Sequence, residues 1–313
     1  MKWERNMRET VLHVAAWPWL KHWMEHQGLK YVVRRFVAGT TLTEALVAVK
    51  QLRADGLMVT LDLLGESVED EETARLACHS IEAMMNHLRQ ISSDSHISIK
   101  LTQLGLIINP ALCEQNMHKL LETARTNGQF IRIDMEDSSV TGQTLELFSK
   151  LHMIYGPKHI GVVVQSYLYR TPADVETLQQ LGASVRIVKG AYSEPPEVAY
   201  PEKCDVDLAY FNLVCSLLQS ESYTAIATHD RILIANLIRF IAEQDIDRDR
   251  FEFQMLYGIA TDLQHQLVHE GYRIRIYTPF GTHWYPYFSR RLAERPANLW
   301  FVLRHLLPPM NKF

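Results

Sequence analysis

From residue 57 onward the chain repeats one alternation: a short apolar, β-branched run, then a longer amphipathic stretch. The short runs are Leu57–Leu63, His96–Leu101, Phe130–Asp134, Ile160–Gln165, Ser184–Lys189, Tyr223–Thr228, Phe251–Gln254 and Arg273–Tyr277. Between them lie helix-length segments at Asp70–Ile91, Pro110–Asn127, Thr141–Tyr155, Pro172–Leu181, Asp205–Gln219, Arg231–Gln244 and Asp262–Glu270. Strands that are apolar on both faces and separated by helices predict parallel pairing. Eight such units, counting a last helix after Tyr277, match a distorted (βα)8 TIM-type barrel, which takes about 250 residues; a doubly wound open sheet is the alternative. Residues 1–50 carry apolar residues at helical spacing through Val11–Met24, Tyr31–Val37 and Leu42–Leu52. They read as an N-terminal helical segment packed on a barrel of residues 51–313, because no Gly/Pro/Ser linker separates the two.

Composition narrows the function classes. With 313 residues and 47% hydrophobic content, a barrel-sized core is available. A net charge of -4 without a basic block makes nucleic acid an unexpected partner. Cys78, Cys113, Cys204 and Cys215 form no CxxC pair, so reduced thiols in a cytoplasmic protein are expected. The apolar run Val11–Leu20 is short and contains His13 and Pro18, which argues against a secretory signal. No run approaches the ~20 apolar residues that span a bilayer; peripheral contact at the inner face of the membrane stays open.

A barrel places its chemistry at the C-terminal ends of its strands. Polar residues are abundant there: Asp62 and Glu66, Lys100 and Gln103, Asp134, Glu136 and Asp137, Gln165, Arg186 and Lys189, Thr228, His229 and Asp230, Gln254, and Tyr277. Beyond the eighth strand, Tyr287, Arg290, Arg291 and Glu294 follow helical i, i+3, i+4, i+7 spacing and share one face. Two guanidiniums beside an aromatic suit a small carboxylate; an exposed helix with an ordinary Arg290–Glu294 pair is the plainer reading. The segment Arg186–Tyr192 joins two cations to Gly190 and Ala191, where backbone can approach a cofactor. Alternatively, Arg186 and Lys189 neutralise neighbouring acids. No GxGxxG and no GxxxxGK[ST] is present. His229 is the one clear histidine at a strand end, so a metal-dependent hydrolase is the weaker alternative and no metal is expected.

Taken in order, TLDLLGE (60–66), SIKLTQLG (98–105), RIDMEDS (132–138), QSYL (165–168), RIVKGAY (186–192), ATHD (227–230), FQMLYG (253–258) and YFSRRLAE (287–294) resemble proline dehydrogenase, of the monofunctional bacterial type. The resemblance spans about residues 57–294. It implies an FAD-dependent barrel that oxidises L-proline to 1-pyrroline-5-carboxylate by hydride transfer from C5 to flavin N5, with a quinone as acceptor. It implies that Lys100, Arg290 and Arg291 hold the substrate carboxylate, that Glu294 pairs with one of these cations, and that Leu256, Tyr277 and Tyr287 wall the ring. Asp134 is then an organiser of Tyr277 and an arginine, and Arg186 and Gln165 sit at the isoalloxazine. Met135, Lys189, Gly190, Ala191, Thr228 and His229 are implied along the rest of the cofactor. Asp230 departs from the Asn frequent in the family, and Ser193 from a bulkier residue.

Overall fold

A computed structural model describes residues 34–65, 68–92 and 94–294, with side chains described as far as Arg291. The expected helices of residues 1–33 and Glu66 lie outside the described residues. Eight strands close into one parallel barrel in sequence order, β8 returning to β1. They are β1 (Met58–Leu63), β2 (His96–Ile99), β3 (Phe130–Ile133), β4 (Ile160–Gln165), β5 (Ser184–Val188), β6 (Thr224–Ala227), β7 (Phe251–Leu256) and β8 (Ile274–Phe280). The described helices are α1 (Leu42–Ala54), α2 (Glu71–Arg89), α3 (Pro110–Asn127), α4 (Ser138–Tyr155), α5 (Thr171–Gln180), α6 (Lys203–Leu218), α7 (Arg231–Glu243), α8 (Thr261–His269) and α9 (Tyr285–Glu294). The (βα)8 expectation is therefore met and the open sheet is excluded. Among the strands the largest boundary difference is at the end of β8, which runs to Phe280 because its pairing with β1 continues to Leu63↔Phe280.

Local chemistry starts and stops these elements. Asp70, Asn109, Asp137 and Asp230 each cap a helix by accepting a backbone N–H with the side chain. Thr41 and Glu44 form a capping box at α1. That box, preceded by Gly39 at φ +125°, starts the helix at Leu42. The helical spacing read in Tyr31–Val37 is not continued among the described residues, since 34–36 form a turn and 37–38 a bend. Their apolar residues, Phe36 and Val37, serve tertiary packing instead.

Parallel register shows which side chains share a face. Val59, Leu61, Ile97, Ile99, Ile131, Ile133, Val162, Ile187, Phe253 and Ile276 belong to one buried apolar cluster with the helices. The alternate residues face the lumen, and many are charged. Arg275 Nε donates to Glu252 Oε1 at 2.8 Å, and its Nη1 donates to the Val59 and Asp94 carbonyls at 3.0 and 3.1 Å. Arg132 Nη1 donates to the Ser184 carbonyl at 2.6 Å, and its Cζ lies 4.7 Å from the Phe130 ring centre. Gly161 leaves the space that this guanidinium fills; a β-carbon there would overlap it. Burial pushes Arg132 down to about 9. Burial would raise the Glu252 carboxyl, but Arg275 outweighs it and holds the group below the usual carboxylate range. His96 is half-buried beside these cations, and desolvation first, then Arg275, holds it well below the ordinary imidazole value.

This layer makes the barrel acid-sensitive. A folded-state imidazole pKa depressed below its unfolded value contributes stability above that value and loses it as pH falls. Stability should therefore drop below the ordinary value of 6.5, and His96→Asn should flatten that part of the denaturation-midpoint profile. Glu252→Gln leaves Arg275 buried without its counter-charge and should cost about 3–5 kcal/mol by urea unfolding.

Candidate active site at the barrel mouth

The C-terminal ends of the strands open into a cavity of about 1490 Å³, counting its solvent-filled mouth. Lys100, Asp134, Met135, Gln165, Arg186, Lys189, Gly190, Ala191, Thr228, His229, Leu256, Tyr277, Tyr287, Arg290 and Arg291 all line it. These residues come from strand ends far apart in sequence and from α9. The remaining candidate, Glu294, ends α9, and its side chain lies outside the described residues.

Asp134 is the hub of the floor. Its Oδ1 accepts Ser98 Oγ at 2.7 Å and Arg186 Nη1 at 2.8 Å, and its Oδ2 accepts the Tyr277 hydroxyl at 2.7 Å. Arg186 Cζ also lies 5.5 Å from the centre of the Tyr277 ring. The expectation that Asp134 orients Tyr277 and an arginine is thus geometrically realised, and that arginine is Arg186. Asp62, fully buried, was not singled out by sequence beyond its strand-end position. Its Oδ2 lies 2.7 Å from the Tyr277 hydroxyl oxygen, and Lys100 Nζ lies 3.3 Å from the same oxygen of Asp62. Burial raises the Tyr277 phenol well above its ordinary range, reinforced by Asp134 and Asp62.

The flank formed by β4 to β6 is built differently. Gln165 Nε2 donates to the Glu136 carbonyl at 2.8 Å, which fixes the amide's orientation. Glu136 itself turns away to brace a loop, accepting Thr102 N–H at 3.1 Å, and Gln103 donates to the Leu63 carbonyl. Gly190 has φ +125°, and a β-carbon there would lie 2.5 Å from the Tyr167 ring, so glycine is required. Lys189 pairs with Asp207 at 2.5 Å and Asp230 at 3.1 Å, and Lys203 joins both carboxylates. Lys189 thus neutralises neighbouring acids while it also lines the cavity. Asp230 has two tasks: Oδ1 caps α7 and Oδ2 takes Lys189. An Asn at this position would keep the cap and give up the ion pair. His229 Nε2 accepts the Leu256 N–H at 2.9 Å, so a ring proton resides on Nδ1. Among the described residues no cluster of three or more His, Cys, Asp or Glu is arranged for a metal.

Helix α9 covers the other flank. Its seat is a separate cluster in which Phe36, Val37, Leu64, Ile259, Trp284, Tyr285, Tyr287 and Phe288 pack together. Phe36 and Phe288 meet edge to face at 5.9 Å. Backbone bonds from Ala38 to the Pro279 carbonyl and from Gly281 to the Gly39 carbonyl tie the segment before α1 to the end of β8. Seated this way, α9 turns Tyr287, Arg290 and Arg291 to the cavity. Arg291 is buried with its Cζ 5.1 Å from the Tyr287 ring centre, and Arg290 lies 5.8 Å from that of Tyr192. Sequence reasoning missed this seat because Phe36 and Phe288 are distant in the chain.

A closed parallel barrel with a cationic, aromatic-walled cavity at its C-terminal mouth defines an α/β-barrel of the kind that carries its chemistry on the strand-end loops. A family model described as Proline dehydrogenase matches residues 45–304. Proline dehydrogenase of Deinococcus radiodurans is 41% identical over 303 residues, covering 96% of this chain and 97% of that protein. Proline dehydrogenase 1 of Bacillus subtilis is 38% identical over 301 residues, covering 96% and 99%. Among solved structures, proline utilization A of Bdellovibrio bacteriovorus inactivated by N-propargylglycine superposes with a TM-score of 0.79 at 26% identity, over 86% of this chain and 33% of that one. The chain belongs to the proline dehydrogenase family.

The seat of α9 is testable by itself. Phe288→Ala removes a fully buried ring and should weaken the local packing by about 3–5 kcal/mol. Hydrogen exchange should then rise across residues 285–291 while the barrel strands stay protected.

Proposed function

We propose that this chain oxidises L-proline to 1-pyrroline-5-carboxylate, the first step of proline catabolism, with FAD as its bound electron acceptor and a quinone as the final one. The observation that carries this reading is the meeting, in one cavity, of Lys100, Arg290 and Arg291 with the aromatic walls Tyr277 and Tyr287 and with Arg186. A small cyclic amino acid has the matching chemistry: an anion for the cations and an apolar ring for the walls. Quinone reoxidation and contact with the membrane surface rest on family membership; no helix among the described residues is long and apolar enough to cross a membrane.

The donor set also fits a flavin. Arg186 is buried, yet its Nε and Nη2 have no hydrogen-bond partner among the described residues. Buried N–H groups of this kind are costly unless a ligand accepts from them, and a flavin ring presents carbonyl and nitrogen acceptors. Gln165 and Arg186 would hold the ring, with Met135 beside them. Lys189, Gly190, Ala191, Thr228 and His229 would follow the rest of the cofactor, Lys189 as one cation of an ionic cluster with Lys203, Asp207 and Asp230. When bound, FAD supplies the hydride acceptor for the C5–H bond.

The protein's own contribution is placement and electrostatics. Lys100, Arg290 and Arg291 clamp the carboxylate, and the clamp fixes which carbon of the ring faces the cofactor. Leu256, Tyr277 and Tyr287 enclose the ring and exclude water from C5. Asp134 holds Arg186 and Tyr277 in register across the lumen. Arg186 is set to stabilise negative charge that grows where the electrons arrive.

The purified protein should be yellow, and its flavin absorbance should bleach on anaerobic addition of L-proline. A colourless protein that FAD does not reconstitute refutes the reading. Arg291→Met should lose about 2–4 kcal/mol of carboxylate binding, seen as a steep rise in KM for proline with FAD retained. Loss of FAD with proline affinity intact would assign Arg291 to the cofactor instead.

A further inference from the structure

Asp62 lies at the end of β1, fully buried, and the proposed reaction makes no use of it. The Tyr277 hydroxyl is 2.7 Å from Asp62 Oδ2 and 2.7 Å from Asp134 Oδ2. A phenol carries one hydrogen. It can donate to one carboxylate only, and two ionised carboxylates would leave the other contact as oxygen facing oxygen with no hydrogen between. Both short contacts are hydrogen bonds only when one of the two carboxyls carries a proton and donates it to Tyr277.

The surroundings decide which one. Asp134 also accepts Ser98 Oγ at 2.7 Å and Arg186 Nη1 at 2.8 Å, two bonds that favour its ionised form. Besides Tyr277, Asp62 has Lys100 Nζ, at 3.3 and 3.4 Å, longer than a strong charge-assisted bond. The charged and titratable groups around it are Lys100 from the end of β2, Asp134 from β3 and Tyr277 from β8, with Arg186 of β5 behind Asp134 and Arg290 and Arg291 lining the same cavity from α9. Burial pushes the Asp62 carboxyl up, Lys100 opposes this, and Asp134 adds to it; the net direction is upward.

We propose that Asp62 is a positioning residue held as the neutral acid: its O–H donates to Tyr277, turns the phenol's hydrogen to Asp134, and places no second carboxylate charge beside Lys100. Part of this rests on the proposed function, namely that Lys100 and Tyr277 meet proline. The proton on Asp62 does not. The same proton makes the hydrogen-bond chain directional: Asp62 to Tyr277 to Asp134, with Arg186 and Ser98 feeding the far oxygen.

The test uses the FAD-loaded protein. Infrared spectra with carboxyl-labelled aspartate should contain a protonated-acid carbonyl band that shifts with the label and in deuterium oxide and is absent from Asp62→Asn. Asn keeps the shape and supplies an N–H donor toward Tyr277, so it should hold KM for proline within about threefold, whereas Asp62→Ala should raise KM about tenfold or more with a smaller change in kcat. A holoenzyme with no such band at Asp62, or an Asn variant whose KM rises as far as that of the Ala variant, overturns the proposal. If Asp62→Ala fails to fold, the infrared band and the Asn variant still decide. A parent protein whose flavin is not reduced by proline refutes the proposed function, and the infrared band then still decides whether Asp62 carries the proton.

Discussion

The Asp134 carboxylate is the interaction on which the mouth of this barrel depends. It stands at the end of β3 and takes hydrogen bonds from Ser98 of β2, Arg186 of β5 and Tyr277 of β8. One side chain thereby ties four strands across the lumen. In a closed parallel barrel the backbone ladder fixes the register all the way round, and side chains that reach across the lumen then bring groups of distant strands together. Here the charged pair is Asp134 of β3 with Arg186 of β5, at 2.8 Å. Cations are thus held rigidly in a low-dielectric floor, where their field acts strongly on a ligand.

Beneath that floor lies a second ionic layer of Arg132, Glu252 and Arg275, with His96 neutral among them. Burying so much charge costs desolvation that the pairs only partly offset. The apolar side of the ledger is the outer face of the barrel, where Val, Ile and Leu of seven strands and Phe251, Phe253 and Met255 of β7 meet the helices. The two faces divide the work: burial on the outside stabilises the barrel, while the polar inside leads upward to the cavity. Helix α9 then closes the mouth from above, with Phe36 and Phe288 packed at its seat.

Much of this was legible in the sequence. The alternation of short apolar and long amphipathic segments identified the strands, since only parallel strands covered on both sides need such runs. The strand-end rule collected Lys100, Asp134, Gln165, Arg186, His229 and Tyr277, because in this fold adjacency in space follows position along each strand. Other features were not legible. Asp62 looked like any strand-end acid, as its contact with Tyr277 joins residues 215 apart in the chain. The pairing of Lys189 with Asp207 depended on how α6 returns to the sheet. Phe36 and Val37 were read as a helix face from their spacing, and a turn places them against α9 instead.

What the sequence alone determined is the barrel, its polar mouth and the set of side chains available there, because period and strand-end position are local properties. What only the tertiary structure decided is which of those side chains bond to one another. Asp134 became a hub, Lys189 became part of an ionic cluster, and Tyr277 came to lie between two carboxylates. These outcomes depend on distances across the lumen, set by closure of all eight strands. No local pattern encodes such a distance, and a change of a few tenths of an ångström decides whether a contact is a hydrogen bond.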